Sequence, residues 1–290
     1  VLDPSARAII RVLPEQPDHS ASARDKRPQD FPAGPFTPAA PQTFALSNGI
    51  PVMLWRKPEL PLVGIMLVFK TPGTYDPPER AGLATLAAQM TEEGAGDLNA
   101  LQFAAALQGL GATYNAGAGQ ETASASMTVL KRNFERAVSL AADALTRPRN
   151  TEEDWNRVKA LHLDELKQQD DEPTIVAARV GLRALFGDSN PYAWPTDGTL
   201  ETVGRFSLSD IRNEQRILFR PETATLLVAG DITQEEAKPI LDKAFGSWQS
   251  SSPVAGGTDD LSMPKHDSLR VVIVDRPEAV QTVIRFVMPG

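Results

Sequence analysis

Cysteine is absent from all 290 residues. Disulfides, thiolate metal sites and a cysteine nucleophile are therefore excluded together, and the compartment is left open. Histidine is almost as scarce: His19, His162 and His266 are the only three. No two of them stand three to five residues apart, so neither HExxH nor HxxEH can be written anywhere in the chain. A self-contained zinc hydrolase site is not expected. Long apolar runs are missing too, the longest, Leu62 to Phe69, falling far short of the roughly 18 residues that cross a bilayer. Positive charge is in deficit, with 29 Lys and Arg against 37 Asp and Glu, a net charge of −8. That sign is wrong for gripping a phosphate backbone, and nucleic acid is not an expected partner. There is no GxSxG elbow and no GxxxxGK[ST], and Thr196-Asp197-Gly198-Thr199 only scrambles an aspartic-protease triplet. Gly117-Ala118-Gly119 reads as a small-residue loop turning into a strand rather than a phosphate cradle.

What is present is enough apolar material, 41% of residues, to fill a sizeable core. Ala6 to Leu13 reads as a short strand, and Pro14 to Pro41, crowded with Pro, Asp, Ser and Gln, reads as a linker. From Phe44 onward an Asn48-Gly49 turn between apolar runs signals a hairpin, and Val63 to Lys70 adds a third strand. Helical spacing follows over Arg80 to Met90 and Leu98 to Leu110. Thr122, Ser124, Ser126 and Thr128 then alternate with Ala123, Ala125, Met127 and Val129, a period of two that predicts a half-buried strand. Helices are predicted over Asn133 to Leu145, from Thr151 to about Gln169, over Ile175 to Phe186, over Ser207 to Leu218 and over Gln234 to Trp248, with a buried strand at Ala224 to Gly230. Ser250 to His266 is a second polar linker, and Leu269 to Asp275 and Gln281 to Met288 read as strands of a new unit. The pattern is α+β, with one unit spanning residues 42 to 249. The opening at Val1 and the final strand near Gly290 are expected to place any signal peptide, and a partner strand, outside this stretch.

His162 and Glu165 share one helical face with Trp155, Val158, Leu161 and Leu166 on 3.6-residue spacing. The plain reading is a His and a Glu satisfying each other or a neighbouring element. The sharper one, half of a metal site, lacks a second histidine cluster to complete it.

Four collinear segments carry a resemblance: TPGTYDPPERAGLATLAAQM, LQGLGATYNAGAGQETASASMTV, NPYAWPTDGTLETVGRFSLSDI and FRPETATLLVAGDITQEEA. Over Thr43 to Trp248 the chain resembles the pitrilysin/insulinase family of zinc peptidases, the M16 class that includes mitochondrial processing peptidase. The resemblance implies a LuxS/MPP-like metallohydrolase fold, a mixed β-sheet with helices packed on one face. It places the family's first zinc histidine on Thr85, its general-base glutamate on Ala88 and its second zinc histidine on Gln89. Its third ligand falls on Glu165, with Asp164 the competitor if the register slips by one. One retained carboxylate holds no zinc, so the chain is expected to be a degenerate half, inactive alone and without a metal of its own. The implied partners are a zinc-bearing N-terminal half or subunit and an unfolded peptide substrate, in a periplasmic or secreted setting. Residues 1 to 41 then resemble the end strand of a preceding unit and the connector between halves. Residues 250 to 266 are a linker, and residues 267 to 290 open a second such domain. The family's Arg and Tyr pair is expected beyond Gly290. The Thr122 to Val129 strand is expected to turn its Thr/Ser side to a peptide chamber; it either pairs with an extended peptide as an edge or is fully paired in its own sheet.

Overall fold

A computed structural model describes residues 34, 37–70, 76–250, 264–265, 268–277, 279 and 281–288. Two compact units divide the chain, Val1–Ala39 and Ala40–Gly290. The strand expected at Ala6 to Leu13, most of the linker after it and most of the 250 to 266 linker lie outside the described residues.

Within the second unit the elements run β1 (Gln42–Ala45), β2 (Pro51–Arg56), β3 (Leu62–Lys70), α1 (Leu83–Gln89), a short ribbon of β4 (Gly94–Ala95) and β5 (Leu98–Asn99), and α2 (Ala100–Leu110). There follow β6 (Thr113–Ala118), β7 (Thr122–Leu130), α3 (Phe134–Thr146), α4 (Glu152–Asp171), α5 (Pro173–Phe186), α6 (Leu200–Arg205), α7 (Leu208–Leu218), β8 (Ala224–Gly230) and α8 (Gln234–Phe245). Polar residues set where the helices begin. The side chains of Asn99, Thr151, Thr199, Ser207 and Thr233 each accept from a backbone N–H one turn on, satisfying a donor that the helix leaves free.

Six strands form one mixed sheet in the order β1-β2-β8-β3-β7-β6. The hairpin at Asn48-Gly49 forms, with Ala45 opposite Pro51. Its expected third member does not join it directly: β8 is wedged between β2 and β3, parallel to the first and antiparallel to the second. Alternate residues of β2, β3, β7 and β8 are buried, among them Val52, Leu54, Val63, Ile65, Leu67, Ala123, Ala125, Met127, Leu226 and Val228. The residues between them, Met53, Trp55, Met66, Ser124, Ser126, Thr128 and Leu227, are half-buried or exposed. That alternation is what a sheet covered by helices on one face requires. Leu83 and Leu86 of α1, Phe134 and Val138 of α3 and Leu241 and Phe245 of α8 complete the same core cluster. Each such side chain contributes roughly 1.5 to 3 kcal/mol by leaving water.

Two expectations are corrected here. Gly117 and Ala118 belong to strand β6 rather than to a loop, because β7 supplies a ladder that small residues can join whatever their own propensity. Leu269 to Asp275 and Gln281 to Met288 form no strands among the described residues. Leu269 is 89% exposed and Phe286 85%, so these apolar runs have no sheet opposite them, and a strand exists only in its ladder.

Close packing at the centre of the sheet depends on Gly230, at φ +143°, where an added Cβ would sit 2.2 Å from the Leu62 carbonyl oxygen and 2.7 Å from Val63 Cα. Both obstacles are backbone and cannot rotate away. Gly230→Ala is expected to cost roughly 2 to 5 kcal/mol in a denaturant midpoint measurement. Gly117→Ala, which meets nothing within 4 Å, should stay within about 0.5 kcal/mol of the parent.

Candidate functional site

α1 carries the three substituted positions, and its surroundings are built from several distant segments. The chain enters it through Gly82, whose φ of +94° lets the backbone pass against Asp197 and Gly198; a Cβ there would lie 2.7 Å from the Asp197 carbonyl oxygen. Asp76 accepts from Gly82 N at 3.0 Å and Ala84 N at 3.1 Å, tying off the first amides of the helix. Thr202 donates its hydroxyl to the Ala81 carbonyl at 2.8 Å, and Gln215 of α7 donates to the Ala87 carbonyl at 3.0 Å.

Thr85 is half-buried and its hydroxyl donates to the Thr196 carbonyl at 2.7 Å, with Ala118 O further off at 3.4 Å. Ala88 is 0% exposed, and Gln89 is open to solvent. On α4, His162 is 8% exposed and its Nε2 lies 2.7 Å from the Asp197 carbonyl. A carbonyl only accepts, so Nε2 carries the proton. Glu165 stands off this arrangement, with its side chain 68% exposed and its Oε2 3.8 Å from His162 Nδ1. Asp164, the competitor, forms a surface pair with Lys167 at 2.8 Å. The expected stripe is thus narrower than read: Trp155, Val158, His162 and Leu166 are buried, whereas Leu161 and Glu165, one turn apart, point outward together.

A hydroxyl already committed to a backbone carbonyl, a sealed methyl group, an exposed amide and an outward carboxylate do not make a zinc site, which takes imidazole, thiolate or carboxylate ligands converging on one point. No group of three or more His, Asp or Glu among the described residues could hold a metal. In place of a metal cleft there is a pocket lined by Asp76, Ala81, Ala84, Thr85, Gly119, Gln120, Pro191, Trp194, Pro195 and Thr196. The Pro191 to Gly198 loop closes over it, held by Gln120 donating to the Trp194 carbonyl at 3.1 Å and by the Tyr192 hydroxyl donating to Glu121. The site offers hydrogen-bond acceptors but no nucleophile and no positioned base.

Strand β7 is interior. Thr122 to Leu130 pair with β3 on one side, and Ala123 to Thr128 pair with β6 on the other. Its backbone is spent on that double ladder, so it does not receive an added peptide strand; the Thr122, Ser124, Ser126 and Thr128 side chains lie instead on the uncovered face of the sheet. The edge on this side is β6. It is partly closed, because Glu92 accepts from Ala116 N at 2.8 Å and holds an amide that an added strand would need. Burial pushes the Glu92 carboxyl upward, and that amide opposes the shift. Glu92, Asp76 and the Thr196 carbonyl were not legible in the sequence: each acts across a gap that no local spacing reports.

An α+β unit with a six-stranded mixed sheet and helices on one face is the class these observations define. Two family models match in series, Insulinase (Peptidase family M16) over residues 52–188 and Peptidase M16 inactive domain over residues 205–290. The chain belongs to peptidase family M16. It is 23% identical over 213 residues to the uncharacterized zinc protease YmxG of Bacillus subtilis (strain 168), covering 73% of this chain and 52% of that protein. It is 25% identical over 196 residues to the non-peptidase homolog YmxG of Helicobacter pylori (strain ATCC 700392 / 26695), covering 68% and 45%. The crystal structure of a peptidase M16 inactive domain from Pseudomonas fluorescens superimposes with a TM-score of 0.69 at 23% identity, over 76% of this chain and 53% of that one. The chain thus spans about half the length of these relatives.

Rebuilding the ligands should fail for steric reasons visible here. In Thr85→His/Ala88→Glu/Gln89→His, the glutamate enters a position with no exposed surface, where a charge is costly and even one extra methylene costs roughly 1 to 3 kcal/mol. The triple variant is expected to melt below the parent and to show no zinc-dependent cleavage of an unfolded peptide. Cleavage that Glu165→Gln abolishes would contradict this.

Proposed function

We propose that this chain is the non-catalytic half of an M16-type zinc peptidase, walling a digestion chamber and presenting a peptide-holding surface opposite a zinc-bearing half. The observation that carries this reading is the state of α1: Thr85 is bonded to the Thr196 carbonyl and Ala88 is sealed in the core, so a base and two ligands are missing from an otherwise retained scaffold. The sheet face that carries Thr122, Ser124, Ser126 and Thr128, with Met66 opposite Ser126 and Trp55 two strands further on, suits the wall. Small hydroxyls and scattered apolar groups accept varied extended peptides without demanding one sequence. The stretch 267 to 290, with exposed Leu269, Ile273, Ile284 and Phe286 among its described residues, fits the beginning of a further domain in the same half. A periplasmic or secreted setting belongs to the same proposal and is tested by cell fractionation.

The second reading is a structural or interaction protein of the same fold with no part in proteolysis, which the name of the Helicobacter pylori relative favours. Purified without a histidine tag, the chain is expected to contain far less than one zinc per molecule and to leave an unfolded peptide intact. Added to a family member that carries HxxEH and is encoded beside it, the chain should raise peptide cleavage. No change on addition would favour the second reading, and one tightly held zinc in the chain alone would overturn both.

A further inference from the structure

Behind the pocket, where α7 packs on α1, three acidic groups surround one cation. Glu214 of α7 is 1% exposed, its Oε2 is 3.2 Å from the Arg80 guanidinium, and its Oε1 is buried with no hydrogen-bond partner in the structure. Asp76 is half-buried and spends its oxygens on the amides of Gly82 and Ala84. Asp210, one turn before Glu214, also faces Arg80, and Ser207 holds its carboxyl below the usual range, so it stays ionised. Among the described residues the other charged groups nearby give no relief: α1 carries none, Glu79 is exposed, and Glu201 and Arg205 of α6 pair with each other at the surface. One guanidinium thus faces Asp76, Asp210 and Glu214, and it is itself partly open to water.

A buried carboxylate with one oxygen unpartnered is far more costly than the neutral acid. Of the two inner groups, Asp76 has backbone donors that favour its charged form, whereas Glu214 has none beyond Arg80. Burial pushes both carboxyls up to about 7; the α1 amides and Arg80 oppose the shift at Asp76, and the Asp76 charge adds to it at Glu214.

We propose that Glu214 holds a proton in the folded protein and that this proton is a pH-sensitive latch, fixing α7 against α1 and the Arg80 turn while Asp76 stays ionised at the helix start. It does not depend on the proposed function. Losing the proton leaves two buried negative charges beside a half-solvated cation, and the contact that backs the Thr85 pocket loosens. A carboxyl whose folded value lies above its unfolded value near 4.5 contributes stability that is complete below that value and lost as pH rises through about 7.

The unfolding midpoint of the full chain is therefore expected to fall between pH 5.5 and 8.5, by roughly 2 to 6 °C. Glu214→Gln, which keeps the shape and removes the ionisation, should lose most of that slope. Comparing the two profiles cancels every contribution that the two proteins share. The infrared C=O stretch of protonated carboxyls should be stronger in the wild type at pH 6 than at pH 8.5, and weaker in Glu214→Gln than in the wild type at pH 6, any residual band belonging to Asp76 and Glu92. No protonated carboxyl in the wild type at pH 6 would overturn the proposal, as would equal slopes for the two proteins. If the variant does not fold, the infrared titration of Glu92→Gln with 13C-carboxyl-labelled glutamate decides: a 13C-shifted protonated-carboxyl band at pH 6 supports the proposal and its absence overturns it.

Discussion

The strand that closes the sheet is nearly the last element to be made. β8 lies between β2 and β3, pairing Leu226 with Val52 on one side and with Leu67 on the other. Without it the β1–β2 hairpin and the β3–β7–β6 meander are two separate sheets with no shared core. Its insertion brings residues more than 150 positions apart into one ladder, a long loop closure that must be met before the ladder repays it. The helices between, α1 to α7, are therefore placed by a sheet that is complete only once β8 arrives, and Gly230 marks how tightly β8 and β3 meet.

The degenerate site follows from that placement. α1 sits in the position where the family's resemblance puts its metal helix, but the polar contacts made there are now structural. Thr85 and His162 both reach backbone carbonyls of the Thr196–Asp197 segment, at 2.7 Å each. These bonds tie α1, α4 and the Pro191 to Gly198 loop together. Buried polar groups must find such partners, and backbone carbonyls of a neighbouring loop supply them here. His162 is the clearest instance: buried and bonded through Nε2 to the Asp197 carbonyl, it serves packing while Glu165, three residues on, faces solvent.

Secondary structure was legible wherever a period ran long enough. The alternation of β7, the Asn48-Gly49 turn, the buried run of β8 and the amphipathic helices α3, α4 and α7 form at or near their expected places. β6 was missed because Thr113 to Ala118 carries no alternation of apolar and polar residues, and its strand state comes from β7 alone. The C-terminal runs fail in the opposite sense, having strand composition without a partner among the described residues. Of the site, the residue types at Thr85, Ala88 and Gln89, none of them an imidazole or a carboxylate, were readable. The partners of those residues were not.

The sequence by itself determined the class of fold, the sign of the surface charge and the lack of a histidine pair, since composition and period are local properties that survive whatever packs on them. Tertiary structure alone decided which edge of the sheet is open, which side of α4 is buried, and that one guanidinium must serve three carboxyls from two segments more than 130 residues apart. Strand order and electrostatic neighbourhoods arise between segments distant in the chain, where neither propensity nor spacing carries information. The burial that makes the Glu214 carboxyl costly comes into being only when α7 meets α1.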